Sequence, residues 1–129
     1  MREIEFRGKT KDGRWVYGLY VNYSAFEEGL SDSAEIIRHS IKRYDGGDIE
    51  DIDPETRGQY TGIESMDGER IFEGDIIKHF PTDLFVVTFE DCAFWAKYKD
   101  GRFELSHRHA YWKVIGNIHD NPELLEVGA

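Results

Sequence analysis

"GQYTGIESMDGERIFEGDIIK", residues 58–78, is the stretch of this chain that decides its fold. Four glycines stand in it between short apolar runs, and acidic residues stand beside them. Glycine takes positive φ angles that a Cβ resists, and Asp-Gly closes tight hairpins. The alternative interpretation of this stretch is a ligand-binding loop. We expect the Asp75 carboxylate to accept backbone N–H groups. We predict structural turns at Gly62, Asp67, Gly68, Gly74 and Asp75.

Two further Asp-Gly pairs lie outside this stretch, in "KDGRW" at 11–15 and "KDGRF" at 99–103. Apolar and polar residues alternate on both sides of each pair, which is the pattern of a β-hairpin. Around the first pair the alternation predicts a hairpin with one buried face. The runs "LFVVTFE" at 84–90 and "AYWKVIGNI" at 110–118 are rich in β-formers and predict two more strands.

Four other segments are less regular. Residues 33–44 fit a strand better than a helix, and "NPELLE" at 121–126 predicts one short helix with Asn as its cap and Pro in its first turn. The segments 22–33 and 45–55 are predicted to be loops. Together these patterns favour a mainly β fold of short strands and tight turns, built as one small barrel or a pair of them.

Composition limits both the architecture and the partners. The 129 residues are 40% hydrophobic and 14% aromatic, which predicts one folded domain over 1–129, with two lobes at about 1–60 and 61–129 as the alternative. The net charge of −10 disfavours binding to phosphate backbones. A single cysteine, Cys92, allows no internal disulfide, and no apolar run suits a signal peptide or a membrane span. We therefore expect a cytoplasmic protein of a bacterial host cell.

Five blocks of the sequence resemble, in order, the YopX family of phage and mobile-element proteins. They cover nearly the whole chain, with the weakest correspondence at 22–52. The resemblance implies a β-rich fold with an SH3-like barrel and an accessory role in a phage or prophage, but no reaction. The blocks are "REIEFRGK", "GRWVYG", "DPETRGQYTGI", "DGERIFEGDII" and "VIGNIHDNPELL".

The residues that carry chemistry form no motif. His107 and His109 share one side of an extended strand, and His119 could add a ligand, but an isolated H-x-H is a weak metal signal. Cys92 has acidic and apolar neighbours, which disfavour a reactive thiolate. No nucleotide-binding, nucleophile-elbow or metalloprotease motif is present. We expect no catalytic residue, no bound metal and no cofactor.

The chain contains more aromatic residues on its strands than one small core can hold. Adjacent residues of a strand point to opposite faces, so one member of each pair such as Tyr111-Trp112 must face outward unless something covers it. Exposed aromatic side chains suit contact with another protein. We predict an interaction surface that includes Trp15, Tyr17, Trp95, Tyr111 and Trp112.

Three functions follow from these observations. The first is a non-catalytic module that binds another protein or a second copy of itself. The second is a small β-barrel that associates with nucleic acid, and the third is a metal-dependent enzyme that uses the three histidines. The second function needs one positively charged face, formed by Lys9, Lys11, Arg14, Lys42 and Arg43.

Overall fold

The described residues lie mostly in antiparallel strands, which confirms the predicted mainly β class. The computed structural model describes residues 4–26, 35–79, 83–98, 101–105 and 112–125, and only the backbone of residues 23–26, 35 and 36. One short 3-10 helix, Pro122–Leu125, lies within the segment predicted to be helical. The strands are β1 Phe6–Lys9, β2 Trp15–Phe26, β3 Glu35–Arg43, β4 Ile49–Asp51, β5 Asp53–Glu64, β6 Arg70–Phe72, β7 Asp75–His79, β8 Asp83–Glu90, β9 Ala93–Tyr98, β10 Gly101–Glu104 and β11 Lys113–Asn117.

The chain divides into two compact units, an N-terminal unit of Ile4–Arg57 and a C-terminal unit from Gly58 onward. In the N-terminal unit the strands lie in the order β4-β3-β2-β1 and continue into the start of β5. The first Asp-Gly pair closes the β1–β2 hairpin, in which Lys9 pairs with Trp15. Gly13 has a φ of 89°, the positive angle that this turn requires.

The predicted loops at 22–33 and 45–55 are wrong in part. Strand β2 continues to Phe26 and pairs with β3 without interruption from Gly18↔Arg43 to Phe26↔Glu35. Strand β4 and the start of β5 occupy most of 49–55. Polar residues such as Asn22 and Ser24 are weak β-formers, but the neighbouring strand satisfies their backbone groups. Residues 27–34 lie outside the described part of the chain.

The buried face of the first hairpin is the face of Val16. Val16 and Ile41, on β2 and β3, pack with Ile52 into a small core, against which Phe6 and Tyr20 are partly buried. Because side chains alternate along a strand, burial of Val16 turns the two neighbouring aromatic residues, Trp15 and Tyr17, towards the opposite face. Alternation predicted one buried face, and the packing decides which set of residues forms it.

In the C-terminal unit the strands lie in the order β10-β9-β8-β7-β11. Its core joins the inward residues of these strands with Ile63 and Ile71, which belong to β5 and β6. The second Asp-Gly pair lies between β5 and β6. Of the third pair, Gly101 begins β10 opposite Tyr98, and Asp100 lies outside the described residues. No pairing between the described strands closes this sheet, so the SH3-like barrel stays a prediction.

The segment 58–78 forms the successive reversals that link β5, β6 and β7. Gly62 lies in an irregular part of β5 at a φ of 86°, and Gly68 takes a φ of 82° in the turn to β6. The hydroxyl of Ser65 accepts the N–H of Asp67 at 3.2 Å and that of Glu69 at 3.1 Å. Positive φ and local side-chain acceptors are the features of a tight turn.

The second reversal of this segment is held by a buried carboxylate. Asp75 is only 2% exposed, and its Oδ2 accepts the N–H of Phe72 at 2.8 Å across the bend. Gly74, at a φ of 93°, donates its N–H to Val87 and accepts the N–H of Ile118. The bend is therefore fixed by one acid and by backbone bonds to β8 and to the residue that follows β11.

The turn between β8 and β9 has a backbone conformation that its two residues disfavour. Asp91 and Cys92 have φ angles of 51° and 63°, positive at both positions as in a type I′ turn. Glycine is the preferred second residue of that turn, because a Cβ is strained in this region.

We expect Cys92→Gly to stabilise the protein by about 1 kcal/mol, by relieving that strain. The Cys92 side chain is exposed, so its removal costs no core packing. Urea unfolding followed by circular dichroism measures the effect. An unfolding midpoint equal to that of the wild type, or below it, would contradict the prediction.

Candidate interaction surface

The five predicted surface aromatics have different environments. Trp15 and Tyr17 belong to the N-terminal unit, where Trp15 is half-buried and Tyr17 is exposed. Trp95 and Trp112 belong to the C-terminal unit, and Tyr111 lies outside the described residues. The two units therefore have to be considered separately.

The assignment of Trp112 to the surface is wrong. Its side chain is 1% exposed and packs edge-on against Phe85, with ring centroids 5.5 Å apart. The ring of His79 lies 5.1 Å from it on β7. Alternation places the members of Tyr111-Trp112 on opposite faces, but it does not say which member faces the core.

Trp95 is covered by its own hairpin. The guanidinium of Arg102 lies 4.0 Å from the centre of the Trp95 ring, and the indole N–H donates to the carbonyl of Glu90 at 2.7 Å. Arg102 also donates to the carboxylates of Glu90 and Asp91, at 2.8 and 2.7 Å. A hydrogen bond from Lys97 lowers the pKa of the Glu90 carboxyl. These contacts make Trp95 a part of the β8–β9–β10 packing.

Trp15 lies beside two cations of the neighbouring strand β1 in the sheet of the N-terminal unit. The guanidinium of Arg7 is 4.8 Å from the Trp15 ring centre, and the ammonium of Lys9 is 5.9 Å from it. These cations reach the ring because Lys9 pairs with Trp15 and Arg7 with Tyr17, so all four side chains share one face. Both cations lie within the reach of a cation–π interaction.

An apolar row crosses the same face of this sheet. Leu19 on β2 pairs with Lys42 on β3, and Lys42 pairs with Ile49 on β4. Leu19 is 45% exposed and Ile49 is 48% exposed. Opposite residues of paired strands share a face, so the two side chains flank the exposed Lys42. We call this row across three adjacent strands, Leu19 and Ile49 with Lys42 between them, the apolar row.

A shallow depression of 420 Å³ lies beside Tyr17. Tyr44, which is exposed, borders it, and its hydroxyl donates to the carbonyl of Ile4. This hydrogen bond orients the phenol at the rim. All but one of the residues that line the depression are aromatic or charged: Glu5, Arg14, Trp15, Val16, Tyr17, Arg43, Tyr44 and Asp45.

The two arginines of the depression are held by carboxylates. Arg14 donates to Glu50 at 2.6 Å and to Asp12 at 2.9 Å, and Arg43 donates to Asp45 at 2.5 Å. The hydrogen bond from Arg43 lowers the pKa of the Asp45 carboxyl, and the bond to Glu50 raises the pKa of Arg14. A second depression of 370 Å³, which includes Thr10 and Lys11, is lined by the same mixture of charges.

The predicted weak metal site of His107, His109 and His119 falls only partly within the described part of the chain. His107 and His109 lie outside it, and the backbone N–H of His119 donates to the side chain of Asn117 at 3.0 Å. The described residues contain no group of three or more metal-binding side chains. Within the same residues, no helix is long and apolar enough to cross a membrane.

The sequence pattern marked Trp15 and Tyr17 for this face, but it did not mark Leu19, Ile49 or Tyr44 as members of a surface. Leu19, Ile49 and Tyr44 lie in three different segments, and only the pairing of β2, β3 and β4 brings the first two into one row. The available signal was the alternation after "KDGRW", which marks Trp15, Tyr17 and Leu19 as one face.

Comparisons with known proteins agree with the fold. The model of the family described as "YopX protein" matches residues 5–126. The solved structure of protein EF1440 from Enterococcus faecalis is similar at a TM-score of 0.56 and 22% identity, covering 97% of this chain and 99% of the other. At that identity the likeness shows the fold alone. The comparison with curated proteins gives no match.

Proposed function

Because the chain belongs to the YopX family, and membership assigns no reaction, we propose that it is a non-catalytic accessory protein of phage or mobile-element origin that binds another protein. The observation that carries the proposal is the apolar row, Leu19 and Ile49 on either side of Lys42. Single exposed apolar residues are common on soluble proteins, but two of them on either side of a cation, on the same sheet face as the exposed Tyr17, favour a contact surface.

The neighbouring aromatic side chains extend this surface. Tyr17 lies two residues before Leu19 on the same face of β2, and Tyr17 and Tyr44 border the adjacent depression. Tyrosine combines a rigid apolar ring with a polar hydroxyl, and it is enriched at protein interfaces. Lys42 at the centre would pair with a carboxylate of the partner, which favours one orientation of binding over others.

The charges of this unit weigh against the nucleic-acid alternative. Arg14 and Arg43, two of its five predicted cations, are bonded to carboxylates, and Glu50 accepts from both of them. A phosphate would have to displace those carboxylates. The repulsion from the net charge of −10 acts in the same direction. The metal-dependent enzyme, which needs His107 and His109, remains untested.

Affinity capture with matched variants tests the proposal. We expect Leu19→Thr combined with Ile49→Thr to lower partner binding at least roughly tenfold, since each central contact residue contributes about 1 kcal/mol or more. Threonine keeps the β-propensity of both positions, so the sheet is retained. The bait is the full chain, and captured proteins are quantified by mass spectrometry.

The control is Met66→Thr, which removes an exposed apolar side chain of similar size from the C-terminal unit. A protein captured by the wild type and by this control, and lost with the double variant, supports the proposal. Equal capture by all three baits, or no specific capture by the wild type, would contradict it.

A further inference from the structure

The strand β10 ends the sheet of the C-terminal unit. Its four residues, Gly101–Glu104, are all exposed, and it pairs with β9 along one side. It stands last in the strand order, so among the described strands none pairs with its outer side. Unpaired N–H and C=O groups of an edge strand can bind a further strand.

The backbone of β10 defines which residues face outward. The N–H of Leu105, just after β10, donates to the carbonyl of Phe94 at 3.0 Å. Hydrogen-bonded and non-hydrogen-bonded pairs alternate along antiparallel strands. Phe103, opposite Ala96, therefore directs its backbone groups towards β9, and Arg102 and Glu104 direct theirs to the outer side.

The side chains of β10 leave the core open at this edge. The ring of Phe103 lies 5.0 Å from that of Phe85, on the core face of the sheet, yet Phe103 is 48% exposed. Tyr98, whose ring lies 5.4 Å from Phe85, is also among the exposed large hydrophobic residues. An added strand would cover these two rings and extend the core face.

We propose that β10 pairs antiparallel with β10 of a second copy of this chain, with Phe103 opposite Phe103 across a two-fold axis. This register places Arg102 of one copy opposite Glu104 of the other, twice by symmetry. The outward backbone groups of Arg102 and Glu104 then meet as hydrogen-bonded pairs, and the two Phe103 rings meet at the closer, non-hydrogen-bonded position.

Charge favours this register over the neighbouring symmetric ones. Arg102 keeps its bonds to Glu90 and Asp91 within its own copy, and Glu104 of the second copy adds a further acidic group near it. A symmetric register centred on Arg102 would bring two arginines together, and one centred on Glu104 would bring two carboxylates together, both of which are unfavourable. When two copies of the sequence Arg-Phe-Glu run antiparallel with their phenylalanines opposite, each arginine faces a glutamate. The inference concerns a surface of the C-terminal unit and does not depend on the proposed function of the N-terminal sheet.

Sedimentation velocity of the full chain over a range of concentrations tests the pairing. We expect the wild type to shift from monomer towards dimer as concentration rises, and Glu104→Pro to remain monomeric. Proline removes the outward N–H of residue 104 and leaves the bonds to β9 intact, so an unchanged circular dichroism spectrum is expected. Glu104→Gln, which keeps this N–H, should still dimerise.

A wild type that is monomeric at every concentration would overturn the proposal, as would a Glu104→Pro variant that dimerises like the wild type. If Glu104→Pro does not fold, Glu104→Arg replaces it. This variant places arginine opposite arginine and should shift the dimerisation midpoint at least roughly tenfold, since it turns a favourable cross-strand charge pair into a repulsive one. An unshifted midpoint would overturn the proposal.

Disulfide trapping tests the register itself, in a Cys92→Gly background that removes the native thiol. Phe103→Cys is expected to give a covalent dimer on oxidation, because opposite Cα atoms at a non-hydrogen-bonded pair are about 4.5 Å apart, within disulfide reach. Glu104→Cys is the matched control: its two copies would be about 8 Å apart, each one strand step from the axis. Equal trapping at both positions, or none at Phe103→Cys, would overturn the register.

Discussion

Asp75→Ala is expected to destabilise the protein by about 3 kcal/mol, the upper end of the cost of leaving a buried donor without its charged acceptor. The carboxylate is 2% exposed and accepts the N–H of Phe72 at 2.8 Å across the bend between β6 and β7. Alanine leaves this N–H in an environment from which water is largely excluded. The neighbouring residues Ile76 and Ile77 are fully buried, so a shift of the bend would also disturb the core.

Chemical denaturation of three variants distinguishes the effect of losing the hydrogen-bond acceptor from the effect of losing the negative charge. Asp75→Asn keeps an oxygen that can accept the N–H of Phe72 and should lose less stability than Asp75→Ala. Asp67→Asn changes an exposed acid of the same stretch and should remain within about 0.5 kcal/mol of the wild type. If Asp75→Ala is as stable as Asp67→Asn, the structural role assigned to Asp75 is wrong.

Gly58→Ala is expected to cost about 3 kcal/mol, through a steric clash with the backbone. A Cβ at this position would lie closer than 3.0 Å to the carbonyl oxygen of Glu73. The backbone of Glu73 cannot easily move away, because its N–H donates to the carbonyl of Gln59 at 2.9 Å. Glycine at position 58 therefore permits the close approach of two backbone segments.

The matched control is Gly101→Ala, since a Cβ added at Gly101 meets nothing within 4 Å. Replacing glycine there lowers the entropy of the unfolded chain and should be neutral or stabilising by up to about 1 kcal/mol. Thermal unfolding of both variants gives the comparison. Equal unfolding temperatures for Gly58→Ala and Gly101→Ala would show that the close approach has no energetic consequence.

The parts of the fold that could be predicted from sequence are those fixed by local chemistry. Asp-Gly is a hairpin signal, and Gly13 and Gly68 have the positive φ that it predicts, so the turns at 11–15 and 66–70 were predictable. Gly101 does not have a positive φ and instead begins β10 opposite Tyr98. The second half of β2 was not predictable, because Asn22 and Ser24 are poor strand formers that a neighbouring strand holds in place. Long-range pairing overrides local preference there.

The candidate site was less predictable for the same reason. Alternation marked Tyr17 and Leu19 as one face, but Ile49 joins them only through the register of three strands. Tryptophan is a residue type that is common at protein contacts, yet Arg102 covers Trp95 from a strand that follows later in the chain. Burial of Trp112 depends on its ring contact with Phe85, which no local pattern encodes.

The central claim is that residues 58–78 form structural turns, whereas the apolar row binds the proposed partner. An equilibrium titration of the captured partner against the wild type, Asp67→Asn and the Leu19→Thr, Ile49→Thr double variant tests both halves together. We predict wild-type affinity for Asp67→Asn, whose turn is preserved because Asn-Gly has the same preference. We predict at least a roughly tenfold loss for the double variant. Full affinity in the double variant together with lost binding in Asp67→Asn would contradict the account.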